Sequence, residues 1–387
     1  MKRIGIFCDG TWQSSDSKEL SNVMRLAQAL MAKAPDGVTQ EVYYVAGVGT
    51  GQGKDRLSAG LDKYTGGALG WGLDITIETA YRALMSAYEP GDEVFVFGFS
   101  RGAYTARSLV GLIRRAGIML PGREPLIKEA MRLYRTRDDP RTKPDSPEMM
   151  RFRADHAPGT ATSLDELEWR RRNGRPVPAG RFRVAFLGVW DTVGALGVPG
   201  HFTTAPLFNR KYQFHDTDLS SMVRTARHAV AVDERRLSFA PTLWTNLAQL
   251  NPAEVGAGTD AELAARSVED RPYLQEWFPG DHGSVGGGNL RTGLSAYACE
   301  WMAEGATRAG LAFAPEKLDA IRAQRKIGDP LLSMTQSWLS RFWRMGDREG
   351  PDDPRDVSKA ARERITAFRD YAPPTLAKVI RALRPGP

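Results

Sequence analysis

The pentapeptide Gly98-Phe99-Ser100-Arg101-Gly102 places a serine between two glycines. It joins the apolar run "VFVFGF" to the helix-like run "RGAYTARSLV", so the serine falls where a strand turns into a helix. Such a turn projects the hydroxyl from the edge of a sheet, and glycines on both sides relieve the crowding. We therefore predict that Ser100 is a nucleophile and that Gly98 and Gly102 support the turn. The alternative is a serine that only caps the following helix.

A serine nucleophile needs a base, and the sequence offers His156, His201, His215, His228 and His282. His156 is expected at the surface, His201 and His215 in a loop near a substrate entrance, and His228 inside an apolar helix. His282 follows the strand-like run "YLQEWF" in a glycine-rich loop, where parallel sheets place their catalytic groups. We predict that His282 is the base.

The acid that orients this base is predicted to be Asp191, the first polar residue after the buried run "VAFLGVW". Asp233 is the alternative acid, and Asp281 is expected to point away from the histidine beside it. Asp191 could also be an ordinary turn residue that bonds its own backbone. In the predicted mechanism His282 deprotonates Ser100, Asp191 fixes the tautomer of His282, and an acyl-enzyme forms and is hydrolysed.

The tetrahedral intermediate of this chemistry needs backbone N–H donors. One is predicted at Arg101 and the other at Gly10 or Thr11, in the stretch "FCDGTW" that follows the first strand. Asp9 in this stretch could instead be the nucleophile of a phosphatase, but such enzymes use a second acid two residues later, where Thr11 stands. We expect Asp9 to brace the turn.

Strand and helix patterns alternate along most of the chain. Strands are predicted at 3–8, 41–47, 92–100, 181–191 and the start of 273–288, and helices at 21–33, 71–88, 101–117, 220–234 and 295–306. This order predicts an α/β fold with an α/β-hydrolase-like, mostly parallel sheet and helices on both faces.

The domain organisation follows from where this pattern breaks. Residues 136–180 are charged and proline-rich, and are predicted to form an insertion or cap over one edge of the core. Residues 1–310 are assigned to a catalytic domain and 311–387 to a helical C-terminal extension packed on it. The basic aromatic stretch 337–345 and the tail 377–385 could contact an anionic lipid surface, although docked helices with solvated arginines are the favoured interpretation.

Composition narrows the class of protein. Of 387 residues, 42% are hydrophobic and 26% charged, which is typical of a soluble globular protein rather than a disordered or fibrous one. The net charge of +7 is mild and its positive residues are interspersed with acids, so no nucleic-acid partner is expected. Cys8 and Cys299 fall in a predicted strand and helix, which favours buried, reduced thiols.

Several other features are expected to be absent. No apolar run is long enough for a membrane span, and no signal-peptide core precedes the first strand. We therefore expect a cytoplasmic protein. A secretion route that uses no cleavable signal remains an alternative. The glycine-rich run 47–53 lacks Lys-Ser/Thr at the spacing of a phosphate-binding loop, so nucleotide binding is not expected. No cluster has metal-ligand spacing, so neither a metal nor a cofactor is expected.

Five ordered motifs resemble one family: "FCDGTW", "GFSRGAYTAR", "LGVWDTVGALG", "RHAVAVDERR" and "WFPGDHGSVGGG". It is the α/β-hydrolase family of type VI secretion phospholipase effectors and their uncharacterised relatives. The resemblance covers about residues 1–310 and implies a triad of Ser100, Asp191 and His282. The family commonly has an acid two positions after the histidine, where this chain has Ser284.

These observations predict a serine ester hydrolase that acts on lipid or phospholipid acyl esters. Two alternatives stay open: an esterase for a small soluble acyl ester, and a non-catalytic binding protein that keeps a hydrolase fold.

Overall fold

The computed structural model describes residues 1–10, 19–47, 66–136, 139–194, 218–255, 270–331 and 344–384. Six strands form one sheet in the order β2-β1-β3-β4-β5-β6, with every neighbouring pair parallel. They are β1 (Arg3–Cys8), β2 (Gln40–Val45), β3 (Glu93–Phe99), β4 (Val184–Trp190), β5 (Val223–Ala231) and β6 (Tyr273–Phe278).

Helices connect the strands and extend beyond them. They are α1 (Asn22–Ala29), α2 (Gly66–Ala87), α3 (Arg101–Ala116), α4 (Ile127–Arg135), α5 (Pro147–His156), α6 (Leu164–Arg172), α7 (Leu247–Val255), α8 (His282–Gly286), α9 (Gly293–Arg308), α10 (Pro315–Ala323), α11 (Lys359–Ala367) and α12 (Ile380–Leu383). Among the described residues, no helix has the length and apolar character needed to cross a bilayer.

Both faces of the sheet are buried. Alternate residues of β1 point to opposite sides: Ile4 and Ile6 pack with α2 and α3, whereas Phe7 packs with α1 and α9. The Phe7 and Phe97 rings stack with centroids 4.7 Å apart on the second face. The predicted α/β class, with a parallel sheet between helices, is confirmed.

The helix predicted at 220–234 is wrong, because these residues contain strand β5. The stretch is rich in alanine and arginine, which favour helices in isolation. Here β5 lies between β4 and β6 and pairs with both, so tertiary context overrides that local preference. His228 is therefore a buried strand residue and not a helical one.

The described residues of the charged segment 136–180 lie at the amino-terminal ends of the strands, opposite the end where Ser100 stands. The Phe182 N–H donates to Ala161 O just before β4, and Gly159 lies against Pro90 just before β3. The segment also buries charge: Glu166 accepts bonds from Arg153 and Arg170, and all three side chains are fully buried.

The C-terminal residues 344–384 pack on the β5 and β6 side of the sheet. Val357 and Leu376 share an apolar cluster with Val230 and Trp277, and the Ser358 N–H donates to Trp277 O at 3.0 Å. The predicted domain boundaries stay predictions, and most of the stretch 337–345 lies outside the described residues. Cys8 in β1 and Cys299 in α9 are free and buried, as predicted.

Candidate active site

Ser100 stands at a strained turn between β3 and α3. Its φ of 57° and ψ of −122° are unusual for a residue with a side chain. The glycines at both sides are required, since a Cβ at Gly98 would lie 2.3 Å from Gly102 O and one at Gly102 would lie 2.1 Å from Cys8 O. The Ser100 side chain makes no capping bond, which removes the capping interpretation.

Asp191 directly follows β4 and shares this strained backbone. Its φ is 35°, and among the described residues only Ser100 and Asp191 combine a side chain with a positive φ. Asp191 Oδ1 accepts from the Ala231 N–H at 3.0 Å, so the carboxylate bonds the next strand rather than its own turn. Backbone strain of this kind concentrates at functional sites, where the surrounding structure enforces it.

His282 begins the short helix α8 and is held against Asp191. Its Nδ1 lies 2.6 Å from Asp191 Oδ2, and the residue is 7% exposed. The prediction of a flexible loop is wrong: Asp281 caps the helix by accepting from the Ser284 N–H, so it also points away from the histidine. Because an ionised carboxylate only accepts, Nδ1 carries the proton and Nε2 is left as a proton acceptor.

The histidine helix packs on the residue that precedes Ser100. The ring centroids of Phe99 and His282 are 4.7 Å apart, and a Cβ at Gly286 would lie 1.9 Å from the Phe99 ring. The second ring beside the imidazole is Phe239, at 4.9 Å. These contacts bring the three residues of the predicted triad to one edge of the sheet.

The triad residues also lie near the point where the order of the strands in the sheet changes direction, between β1 and β3. The chain passes from β1 outward to β2 and returns to β3 on the other side of β1, so the loops after β1 and β3 diverge. Open parallel sheets bind ligands in the crevice at such a point. Here Gly10 follows β1 and Ser100 follows β3, and a Cβ on Gly10 would be 3.4 Å from Ser100 Cβ.

Sequence reasoning missed Arg348, which binds both oxygens of Asp191. Nη1 lies 2.6 Å from Oδ1 and Nη2 lies 2.9 Å from Oδ2. Burial alone would raise the pKa of Asp191, but the Arg348 charge and the bonds from Arg348 and His282 hold it well below its usual range. Arg348 stands in the polar run "RMGDREG", which follows no strand-like run, so nothing in the sequence distinguishes it from a solvated arginine.

Sequence reasoning also missed Glu234, which binds the backbone N–H of His282. Its carboxylate accepts from the His282 backbone N–H at 3.3 Å and from Arg236 Nη2 at 2.6 Å. Burial would raise the pKa of Glu234, but the bonds and charge of Arg236 lower it. The motif "RHAVAVDERR" contains this signal, because Glu234 directly follows the candidate acid Asp233.

The alternative acid and the other histidines lie elsewhere. Asp233 accepts from the Gly280 N–H and the Tyr371 hydroxyl, not from the His282 ring. His228 accepts from the Thr192 N–H through Nε2, so its Nδ1 donates to the Gln275 side chain. His156 is half-buried and in α5 at the opposite edge, and His201 and His215 lie outside the described residues.

The turn after β1 is organised by Asp9. Its carboxylate accepts from the Gly10 N–H at 2.7 Å, the Ser21 hydroxyl at 2.6 Å and the Tyr44 hydroxyl at 2.8 Å. Burial raises the pKa of Asp9, against the effect of these donors. The Gly10 N–H is therefore engaged in this structure, and Thr11 lies outside the described residues. Arg101 begins α3, so the helix supplies no carbonyl for its N–H.

A strained serine, an Asp–His pair and a parallel sheet that reverses its order define a hydrolase-like α/β protein. A sequence-family model for the catalytic domain of Tle1-like phospholipase effectors of the type VI secretion system matches residues 2–305. The chain therefore belongs to this family.

Individual relatives cover the chain less evenly. An uncharacterised protein of Saccharomyces cerevisiae is 30% identical over 254 residues, which are 63% of this chain and 33% of that protein. An uncharacterised protein from Pseudomonas aeruginosa has a crystal structure that is 20% identical, covers 100% of this chain and 56% of its own, and gives a TM-score of 0.41. The structure of the Tle1 effector bound to the VgrG spike of the type VI secretion system is 19% identical and gives a TM-score of 0.36. The match covers 75% of this chain and 51% of the effector chain. The chain thus spans between one third and just over half of these proteins.

Proposed function

We propose that this protein is a serine ester hydrolase that uses Ser100, Asp191 and His282, with phospholipid acyl esters as its substrates. The observation that carries the proposal is the 2.6 Å bond between His282 Nδ1 and Asp191 Oδ2, at the sheet edge where Ser100 is held in a strained turn. Membership of a phospholipase effector family supports the substrate class.

The chemistry follows from these positions. His282 Nε2 takes the Ser100 hydroxyl proton while Oγ attacks the acyl carbonyl carbon. The resulting oxyanion accepts from the Arg101 N–H, and from the Gly10 N–H once that group exchanges Asp9 for the substrate. His282 then returns the proton to the departing alcohol, which leaves an acyl group on Ser100. Water hydrolyses this ester by the same proton transfers and releases the fatty acid.

The Arg101 side chain, on the residue after the proposed nucleophile, favours a substrate with a negative charge. Within the described ranges, the Arg101 guanidinium has neither an ion-pair nor a hydrogen-bond partner. Burial lowers the pKa of Arg101 to about 10, because a desolvated charge is costly. A phosphate group on the substrate would supply the missing partner.

The Asp9 phosphatase alternative loses support from the same geometry. Three donors already occupy the Asp9 carboxylate, and its buried position raises its pKa, so it is a poorly placed nucleophile.

The test uses a fluorophosphonate probe and two substrate series. We expect labelling of the wild type, no labelling of Ser100→Ala, and full labelling of Ser108→Ala, a matched control in the same helix. Absence of labelling in folded wild-type protein would overturn the hydrolase proposal.

Soluble acyl esters of graded chain length and phospholipid vesicles then define the substrate. We expect vesicle hydrolysis that Arg101→Met weakens more for anionic than for neutral esters. A short-chain optimum without vesicle hydrolysis would defeat the phospholipid assignment and leave an esterase.

A further inference from the structure

One arginine of the C-terminal region reaches into the site from outside the family match. Arg348 is 9% exposed, and its two terminal nitrogens each contact one carboxylate oxygen of Asp191. The same nitrogens donate to two carbonyls: Nη1 to Ala231 O at 2.9 Å and Nη2 to Phe239 O. A planar guanidinium bound at four points has one orientation, and it imposes that orientation on the carboxylate.

Two residues that Arg348 binds, Asp191 and Phe239, both contact His282. The two bonds from the guanidinium orient the Asp191 carboxylate so that Oδ2 lies 2.6 Å from His282 Nδ1. Phe239, whose carbonyl Arg348 holds, packs edge-on against the imidazole with centroids 4.9 Å apart. The strained backbone of Asp191 makes such an external restraint necessary, since a residue at φ 35° stays there only when its surroundings enforce it.

We propose that Arg348 is a positioning residue of the active site, which fixes the Asp191 carboxylate for His282 and offsets its negative charge. The C-terminal segment thereby completes a site whose other members lie within residues 2–305. The effect on turnover rests on the proposed function, but the effect on the Asp–His pair does not.

The Arg348 charge also acts on the imidazole through Asp191. Among the described residues, Asp191 contacts the His282 ring and Glu234, with its partner Arg236, contacts its backbone N–H. The adjacent Asp281 caps α8 and points away from the ring. Arg348 is the cation bound directly to the acid, so it opposes a second positive charge on the imidazole. Without Arg348, this opposition to a charged imidazole is removed.

The experiment compares Arg348→Met, Arg348→Lys and Arg364→Met. Arg364 is a matched control: it is 7% exposed, lies in the same C-terminal region and holds the carbonyls of Ile327 and Asp329, but does not contact Asp191. Thermal unfolding checks that each variant is folded. Two readouts follow: the pH profile of kcat and KM on an acyl ester, and the downfield proton NMR resonance of the histidine Nδ1–H bonded to a carboxylate.

For Arg348→Met we expect kcat to fall about 100-fold, which is the cost of a misplaced catalytic group, and KM to stay unchanged. The acidic limb of the pH profile of kcat should move to higher pH. The downfield resonance should weaken or disappear. Arg348→Lys keeps the positive charge but loses the two-point contact with the Asp191 carboxylate. The acidic limb of its pH profile should therefore stay at the wild-type pH, and its kcat should fall less than that of Arg348→Met. Arg364→Met should match the wild type in both readouts.

The inference is overturned if Arg348→Met and Arg364→Met share the same kcat, acidic limb and downfield resonance. If Arg348→Met does not fold, an Arg348→Lys variant with wild-type kcat and resonance overturns it equally. A wild type that hydrolyses no ester would defeat the proposed function alone, because the NMR comparison still decides whether Arg348 orders the pair.

Discussion

At the scale of single residues, the site is marked by backbone conformation as much as by side-chain chemistry. Ser100 and Asp191 adopt positive φ angles that cost stability, and the proposed reaction uses the side chains of both residues. Such positions typically store about 1–3 kcal/mol of strain each. Stability has therefore been exchanged for the placement of a hydroxyl and a carboxylate.

Ser100→Gly should stabilise the protein while it abolishes hydrolysis. Glycine tolerates φ 57°, so relief of strain outweighs the greater freedom of the unfolded chain by about 1 kcal/mol. Ser108→Gly, at a buried helical position of the same helix, should instead cost about 1 kcal/mol. Urea unfolding of both variants measures the difference. A Ser100→Gly variant less stable than wild type would show that the turn is not strained.

His228 should make the protein sensitive to acid. Burial, with the Arg107 charge, lowers its pKa to about 3, whereas the unfolded chain binds the proton at the ordinary value of 6.5. A group whose folded pKa is depressed in this way has no effect above pH 6.5, and stability falls as pH drops from 6.5 toward 3. The slope is at most about 1.4 kcal/mol per pH unit.

His228→Gln removes this titration and can still accept from the Thr192 N–H. Its free energy of unfolding, measured in urea between pH 7 and pH 4, should therefore decline less steeply than that of the wild type. His156→Gln is the comparison: burial also lowers the pKa of that half-buried histidine, but by less than at His228, so its effect on the slope should be smaller. Parallel pH curves for wild type and His228→Gln would contradict the assignment.

At the scale of elements, the position of the proposed base, His282, depends on how closely helix α8 approaches β3. Gly286 lies against the Phe99 ring, so Gly286→Ala must move either the helix or the ring. We expect a loss of about 1–3 kcal/mol from overpacking. A displacement of His282 by about 1 Å would also lower kcat about 100-fold.

Gly283→Ala is the matched control in the same five-residue helix. Its Cβ would meet only the end of the Asn289 side chain, which can rotate away. Both substitutions gain the same helix propensity, so their difference in unfolding midpoint and kcat reports the contact with Phe99. Equal kcat values for the two variants would show that α8 tolerates displacement.

The elements also show which parts of the site could be predicted from sequence. The runs that became β1, β3, β4 and β6 are apolar and end at Asp9, Ser100, Asp191 and the His282 helix, because strands buried on both faces leave their polar residues at the ends. The run that became β5 has helix-favouring residues, and pairing with both neighbours decided its structure. Local composition cannot report such pairing.

At the scale of the whole molecule, the candidate active site is supported from a distant part of the chain. Arg348 gives no sequence signal, since an arginine in a polar stretch is indistinguishable from a solvated one until the fold is known. Its position depends on the apolar cluster that docks the C-terminal residues on β5 and β6. Gly350, two residues later, lies so close to the Thr375 carbonyl that a Cβ would be 1.6 Å from its oxygen.

Leu376→Ala should therefore act on the site without touching it. Leu376 is fully buried in the docking cluster, next to Thr375, and its truncation should cost about 2–5 kcal/mol. Leu84→Ala, at an equally buried position in α2, should cost a similar amount. At a temperature where both variants are folded, only Leu376→Ala should lower kcat and move the acidic limb to higher pH, because only it loosens the segment that carries Arg348. Equal kcat values and unshifted limbs in the two variants would show that Arg348 keeps its place without the cluster.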